Sequence, residues 1–185
     1  MKNKYTYGFL GRLVDRKGIN ELYTAFDELY HEDTDIRLLM VGSVEKQQIA
    51  DKDLIAKYNN HPGIIMVGKV PFEEVPVHMA LMDCFVLPAW WEGFGNVLIQ
   101  AAAMGIPIIS THSTGCSNAV SDGYNGVLVK PIKNAKVIKE AMDNMKGNKE
   151  EAAVYGDNGI QWARNFEPII IWQGLEKIYN ESENL

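Results

Sequence analysis

Six short runs, YTYGFL (5–10), IRLLMVG (36–42), GIIMVG (63–68), DCFVLP (83–88), IPIIST (106–111) and GVLVKP (126–131), are apolar almost without interruption. A strand with one wet face alternates polar and apolar residues. These runs do not alternate, so they read as strands covered on both faces, the pattern of a parallel sheet under helices. Helical patterns separate them: Asn20 to about His31, with Leu22, Ala25, Phe26 and Leu29 on one stripe, then 46–58, 73–82, 96–104 and 135–146. Strands alternating with helices predict an α/β fold with a doubly wound, mostly parallel, six-stranded Rossmann-like sheet and helices on both faces. After the last strand only helical patterns follow, about 149–164 and 168–181. Pro168 suits the first turn of the second, where its missing N–H costs nothing. The chain has 185 residues, which fits one domain over 1–185.

Composition removes several function classes. Lys and Arg number 18 against 24 Asp and Glu, a net charge of −6, so the basic footprint of a nucleic-acid binder is missing. Only Cys84 and Cys116 are present, without paired metal spacing, and no disulfide framework is expected. His31, His61, His78 and His112 likewise show no metal spacing. The first three read as surface or helix-end residues, and His112 follows a strand. The N-terminal MKNKYTYGFLGR lacks the apolar region of a signal peptide, and no run is long enough to span a bilayer, so a cytoplasmic protein is expected.

In a doubly wound sheet the ligand crevice lies at the carboxyl ends of the strands. The first loop there is GRLVDRKG. Arg12 and Lys17 stand beside the start of the helix that Gly18 and Asn20 open, where free N–H groups and the helix dipole also favour an anion. The alternative is a set of solvated loop charges, Arg12, Arg16 and Lys17, balanced by Asp15. The Lys-Ser or Lys-Thr pair of a Walker A loop is absent, as is the dinucleotide G-x-G-x-x-G fingerprint.

The fourth loop and its helix read PAWWEGFGNVLIQAAAMGIP (88–107). Asn96 suits the N-cap, and Gly105 with Pro107 closes the helix. Every position from 97 to 104 except Gln100 is apolar, which predicts a helix buried all round. Side chains lean towards the N-terminus of their own helix, so Gln100 is expected to reach back towards the Glu92–Gly95 loop. Trp90 and Trp91 immediately precede Glu92, with packing against the glycine loop expected of at least one and stacking on a ligand open to the other.

Taken in order and with their spacing, GRLVDRKGINELYTAF, PAWWEGFGNVLIQAAAMGIPIIST and GYNGVLVKP resemble the C-terminal half of a retaining glycosyltransferase of family 4, the group 1 family of GT-B fold. The resemblance implies that Arg12 and Lys17 bind the donor diphosphate and offset the charge that develops as it leaves, without a metal or other cofactor. It implies that Glu92 meets hydroxyls of the transferred sugar, and that Gly11 and the backbone of Gly93, Phe94, Gly95, Asn96 and Val97 face sugar and phosphates. Lys69 and Val70 would line the nucleobase site. Position 100 would bind the ribose hydroxyls, where the family carries glutamate and this chain carries glutamine, and Asn118 stands where many relatives carry an acid.

The implied reaction is retaining transfer of a hexose or acetamidosugar from a nucleotide sugar, a UDP-sugar first, to a lipid-linked or oligosaccharide acceptor in surface polysaccharide synthesis. A GT-B enzyme needs a second, N-terminal domain for the acceptor. This chain starts a few residues before the first strand of the donor domain, so it is expected to be inactive alone. In the full-length protein, peripheral placement at the inner face of the membrane fits a lipid-linked acceptor. The terminal helix with Ile169, Ile170, Ile171, Trp172, Leu175 and Ile178 would pack partly on the other half and leave apolar surface exposed without it. Two rivals are a non-catalytic nucleotide- or protein-binding module, suggested by Gln100 and Asn118, and half of a nucleotide-sugar epimerase.

Overall fold

A computed structural model describes residues 4–182. Six strands, β1 (Tyr5–Leu10), β2 (Ile36–Val41), β3 (Ile64–Gly68), β4 (Cys84–Leu87), β5 (Ile108–Thr111) and β6 (Gly126–Val129), form one sheet in the order β3-β2-β1-β4-β5-β6. Every pairing is parallel. The order reverses between β1 and β4, which opens a crevice above their carboxyl ends.

The connecting helices are α1 (Ile19–Glu32), α2 (Leu54–Asn60), α3 (Val75–Met79), α4 (Asn96–Ala103), α5 (Thr114–Ala119), α6 (Ala135–Gly147), α7 (Lys149–Ala163) and α8 (Pro168–Ser182). Right-handed crossovers put α1 and α2 on one face and α3, α4 and α5 on the other. Accordingly α6 packs on α1, and α7 packs on α4. The core is continuous across the sheet, with Tyr7, Phe9, Leu38, Met40, Phe85 and Ile108 fully or almost fully buried. Two of its buried hydroxyls are matched: that of Tyr7 donates to the Met142 carbonyl and that of Tyr58 to the Ile19 carbonyl, both at 2.7 Å.

Four expectations need correction. The strand β3 is not covered on both faces: Ile65 and Val67 are exposed, because β3 is the sheet edge and helices cover only one side of it. The helix expected over 46–58 is a 3-10 turn, Lys46–Gln48, followed by the short α2. Asp51 breaks it, since its carboxylate accepts the Asp53 N–H at 2.9 Å and so offers the backbone a turn in place of helix. The helix α5, with Ser113 at its N-cap, stands where the sequence pattern predicts only loop; six residues with a glycine present no helical period. Finally α4 is not buried all round: Leu98, Ala101 and Ala102 face the core, while Asn96, Ala103 and Met104 are exposed. Small alanines make the sequence look apolar on every side, but α7 and the sheet cover only part of the circumference.

His61 is the buried member of the histidines, whereas His31 is exposed. As expected, it sits at a helix end, the C-cap of α2. Its Nδ1 accepts the Gly63 N–H at 3.0 Å and its Nε2 lies 3.2 Å from the Asp27 carboxylate, an arrangement for neutral imidazole protonated on Nε2. Burial lowers its pKa from the ordinary 6.5, against the opposing pull of Asp27. The folded state therefore binds that proton less readily than the unfolded chain. Stability from this site is complete above pH 6.5 and is lost as pH falls through the lower folded value. Urea midpoints measured from pH 7.5 down to pH 5 should fall more steeply for the wild type than for His61→Gln; equal slopes would rule this site out as the cause.

Candidate functional site

The first two loops above the sheet run side by side. Leu13 N–H donates to the Ser43 carbonyl at 2.8 Å and Glu45 N–H to the Leu13 carbonyl at 3.2 Å, which extends the β1–β2 pairing past the strand ends. Leu13 and Val14 are buried beneath, so Arg12 is carried upward on a fixed backbone. Its guanidinium pairs with both carboxylate oxygens of Glu45 at 3.2 Å. A 3-10 turn, Asp15–Lys17, then leads through Gly18 into α1.

That turn is clasped to the loop after β4. Trp90 N–H donates to the Arg16 carbonyl at 2.8 Å, the Arg16 guanidinium lies 5.6 Å from the centre of the Trp91 ring, and the Lys17 ammonium pairs with the Glu92 carboxylate. Both ends of the last pair are mostly covered, at 14% and 17% exposure, so water screens it less than a surface pair. Buried hydroxyls brace the same loop from below. Ser110 donates to the Leu87 carbonyl at 2.6 Å, and Thr111 donates to that of Ala89. From the side, Gly115 at the start of α5 meets it so closely that a Cβ would lie 2.1 Å from the Glu92 carbonyl oxygen.

Between these loops is a cavity of about 330 Å³ lined by Leu10, Gly11, Arg12, Arg16, Lys17, Trp91, Glu92, Phe94, Gly95, Asn96 and Val97. It gathers eight of the sequence-derived candidates: Gly11, Arg12, Lys17, Glu92, Phe94, Gly95, Asn96 and Val97. The start of α4 forms one wall. Asn96 is its first helical residue and not its cap; the cap position is Gly95, at φ 76°, and among the described residues no side chain makes a capping hydrogen bond there. A helix start without a capping side chain keeps backbone N–H groups available to an anion. Three cations, such N–H groups, one carboxylate and two aromatic rings make a receptor for an anion that also carries hydroxyls.

The other candidates lie elsewhere. Gly93 is in the loop but off the cavity wall, and Lys69 and Val70 follow the edge strand, with Lys69 exposed. Gln100 does not reach back to Glu92–Gly95. It sits one turn further along α4, lining a separate hollow of about 210 Å³ with Phe72, Val75, Pro76, Met79, Ala103 and Met104, and its amide makes no hydrogen bond among the described residues. The side chain is long enough to reach back, but the exposed face of α4 opens towards α3 and so gives it another place to lie. Asn118 and His112 are exposed and off the cavity wall. Asp15 does not balance the loop cations; it accepts from the Ala50 N–H at 2.8 Å and from Asn20 at 3.0 Å. Trp90 is structural, donating to the Glu21 carboxylate at 3.1 Å beneath the Lys133 ammonium. Sequence reasoning did not single out Arg16 or Glu45 as site residues; the signal for Arg16 was its place beside Lys17 on a turn too short to point away.

The family of glycosyl transferases group 1 matches residues 1–162. The chain belongs to this family. Among relatives of the group 1 chain, a capsular polysaccharide biosynthesis glycosyltransferase of Staphylococcus aureus is 30% identical over 181 residues, 97% of this chain and 47% of that protein. A GDP-mannose-dependent α-(1-6)-phosphatidylinositol monomannoside mannosyltransferase of Mycolicibacterium smegmatis is 32% identical over 165 residues, 83% of this chain and 42% of that one. The crystal structure of Anabaena HepE in complex with UDP and glucose shares the fold, with a TM-score of 0.83 at 21% identity over 96% of this chain and 48% of HepE. The chain thus spans about half the length of the curated relatives it matches. Among the described residues, no helix is long and apolar enough to cross a membrane.

Proposed function

We propose that this chain is the donor-binding, C-terminal half of a retaining group 1 glycosyltransferase. It binds a nucleotide sugar, with UDP as the first choice, for transfer to a lipid-linked or oligosaccharide acceptor in surface polysaccharide or glycolipid synthesis. The observation that carries this reading is the 330 Å³ cavity, where Arg12, Lys17 and the start of α4 converge on one space with Glu92. Cations and helix N–H groups stabilise the negative charge that grows on a departing diphosphate, which lowers the barrier to sugar transfer. Glu92, held by Lys17, is the hydroxyl acceptor for the sugar. Retention follows from attack on the face the diphosphate leaves, and the residues named supply binding and charge.

The acceptor-binding half is a second domain, in keeping with the half-length match to the relatives. The terminal helix α8 supplies part of its seat: Trp172 is 67% exposed and Ile178 63%, with Ile169, Ile170 and Ile171 also exposed. On this reading the chain binds donor and does not turn it over alone. UDP is favoured over GDP by the likeness to HepE, whereas the mycobacterial relative is named for GDP-mannose, so both bases belong in the test.

Thermal unfolding with UDP, GDP, ADP and UDP-glucose tests the proposal. A ligand bound only by the folded state adds about 2.7 kcal/mol at a hundredfold excess over its Kd. UDP and UDP-glucose should raise Tm, and Arg12→Ala should weaken both about tenfold or more, because a charged hydrogen bond from the cavity wall to phosphate is lost. Unchanged affinity in a folded Arg12→Ala would place the diphosphate elsewhere. A response to GDP alone would replace the base, and none to any nucleotide would favour a degenerate, non-catalytic module.

A further inference from the structure

We propose that Arg16 is a third phosphate-binding cation of this cavity, held in place by the face of Trp91. The inference rests on the donor-site reading above and assigns the group that gives the cavity its net positive charge.

Four charged residues line the cavity, Arg12, Arg16, Lys17 and Glu92. Lys17 is paired with Glu92, and Arg12 with Glu45 at the rim. Each of these cations is already neutralised by a carboxylate. The Arg16 guanidinium makes no ion pair and no hydrogen bond among the described residues, and its Nε is closed off from solvent without a partner. The adjacent Asp15, the nearest acid in sequence, is committed to Ala50 and Asn20. A covered N–H such as this Nε costs free energy unless something meets it, and the charge of the group is offset by no carboxylate of the cavity.

Its position is nevertheless restrained. The guanidinium lies 5.6 Å from the centre of the Trp91 ring, a cation–π distance, and the backbone of the same residue is tied to Trp90. Trp91 is 60% exposed and lines the same cavity, so its ring is accessible beside the guanidinium. The terminal N–H groups of a planar guanidinium form a fork that matches phosphate oxygens.

The charge count has a consequence for ligand choice. Free UDP carries a terminal phosphate with a second ionisation near pH 6, so at pH 8 it is more negative than a UDP-sugar, whose terminal phosphate is esterified. A cation that is not already neutralised should therefore favour the leaving diphosphate over the intact donor. Arg16 would assist departure by meeting charge as it appears.

Titration calorimetry of this chain with UDP, UDP-glucose and inorganic pyrophosphate at pH 8 provides the test, using wild type, Arg16→Gln, Arg16→Lys and Trp91→Leu, with ligand-free melting as the folding control. Arg16→Gln should lose about tenfold or more in affinity for UDP and pyrophosphate, less for UDP-glucose, and should bind UDP with a weaker dependence on salt. Arg16→Lys should fall between, and Trp91→Leu should lose affinity while Arg16 is kept. Unchanged UDP and pyrophosphate affinity in a folded Arg16→Gln would overturn the proposal and leave the donor site standing. Equal losses in UDP and UDP-glucose would overturn the preference for the leaving group. Unchanged affinity in Trp91→Leu would overturn the holding role of the ring. Pyrophosphate binding that depends on Arg16, without binding of any nucleotide, would sustain the anion site and remove the nucleotide-sugar reading; no binding of either by the wild type would overturn both.

Discussion

Lys17→Ala should weaken UDP by roughly ten- to a hundredfold, the worth of one charge-assisted contact to phosphate, and should also lower the unfolding free energy. The two effects have separate origins. Stability falls because Glu92, only 17% exposed, is left without its cation. Removing one partner of a covered pair strands the other charge, a loss of about 3–5 kcal/mol when the pair is fully buried and less in this partly open cavity. Binding falls because the cavity loses a donor to the diphosphate. The double variant Lys17→Ala, Glu92→Ala separates them: stability should return towards that of the wild type, since no lone carboxylate remains, while UDP affinity stays low. Urea unfolding and calorimetry on the four members of the cycle measure both quantities. UDP affinity within twofold of wild type in Lys17→Ala would mean that the ion pair is structural and Lys17 does not touch phosphate.

Gly18→Ala should cost roughly 3 kcal/mol or more in unfolding free energy. Two causes act together at this position. Gly18 has φ 72°, and a Cβ there would lie 2.0 Å from the Pro88 carbonyl oxygen, which is backbone and has no rotamer to change. Gly68→Ala isolates the first cause, because Gly68 has φ 83° and open space around it, so only the left-handed penalty of about 1–2 kcal/mol applies. The difference between the two urea midpoints, at unchanged slope, is the cost of pushing apart the loops after β1 and β4. Those loops carry Lys17 and Glu92, so Gly18→Ala should weaken UDP as well. Equal losses in the two variants would show that the loops yield without resistance.

The alternation of apolar runs and helical stripes was sufficient to predict the parallel sheet, because burial on both faces erases the period-two pattern in any strand that has it. The edge strand β3 shows the limit of that inference: GIIMVG reads as fully covered, yet Ile65 and Val67 are exposed. Hydrophobicity records what a residue tolerates, whereas exposure depends on which neighbours the topology supplies. The same limit governs α4, where alanines tolerate both core and surface and the open face is decided by α7 and the sheet.

In the candidate site, the sequence by itself determined the ingredients: cations after β1, a carboxylate and glycines after β4, and a helix beginning close to Asn96. These follow from local chemistry and from the rule that ligands sit at the carboxyl ends of the strands. Only the tertiary structure decided how the ingredients pair. Lys17 and Glu92 are 75 residues apart, and they meet because β1 lies beside β4 in the sheet order. Arg12 meets Glu45 because the loops after β1 and β2 run together, and Arg16 is left unpaired because Asp15 turns to Ala50. Gln100 lines the hollow against α3 because the uncovered face of α4 points there. Composition counts charges, but which of them cancel is a matter of distance, and distances across a sheet are set by strand order and loop packing.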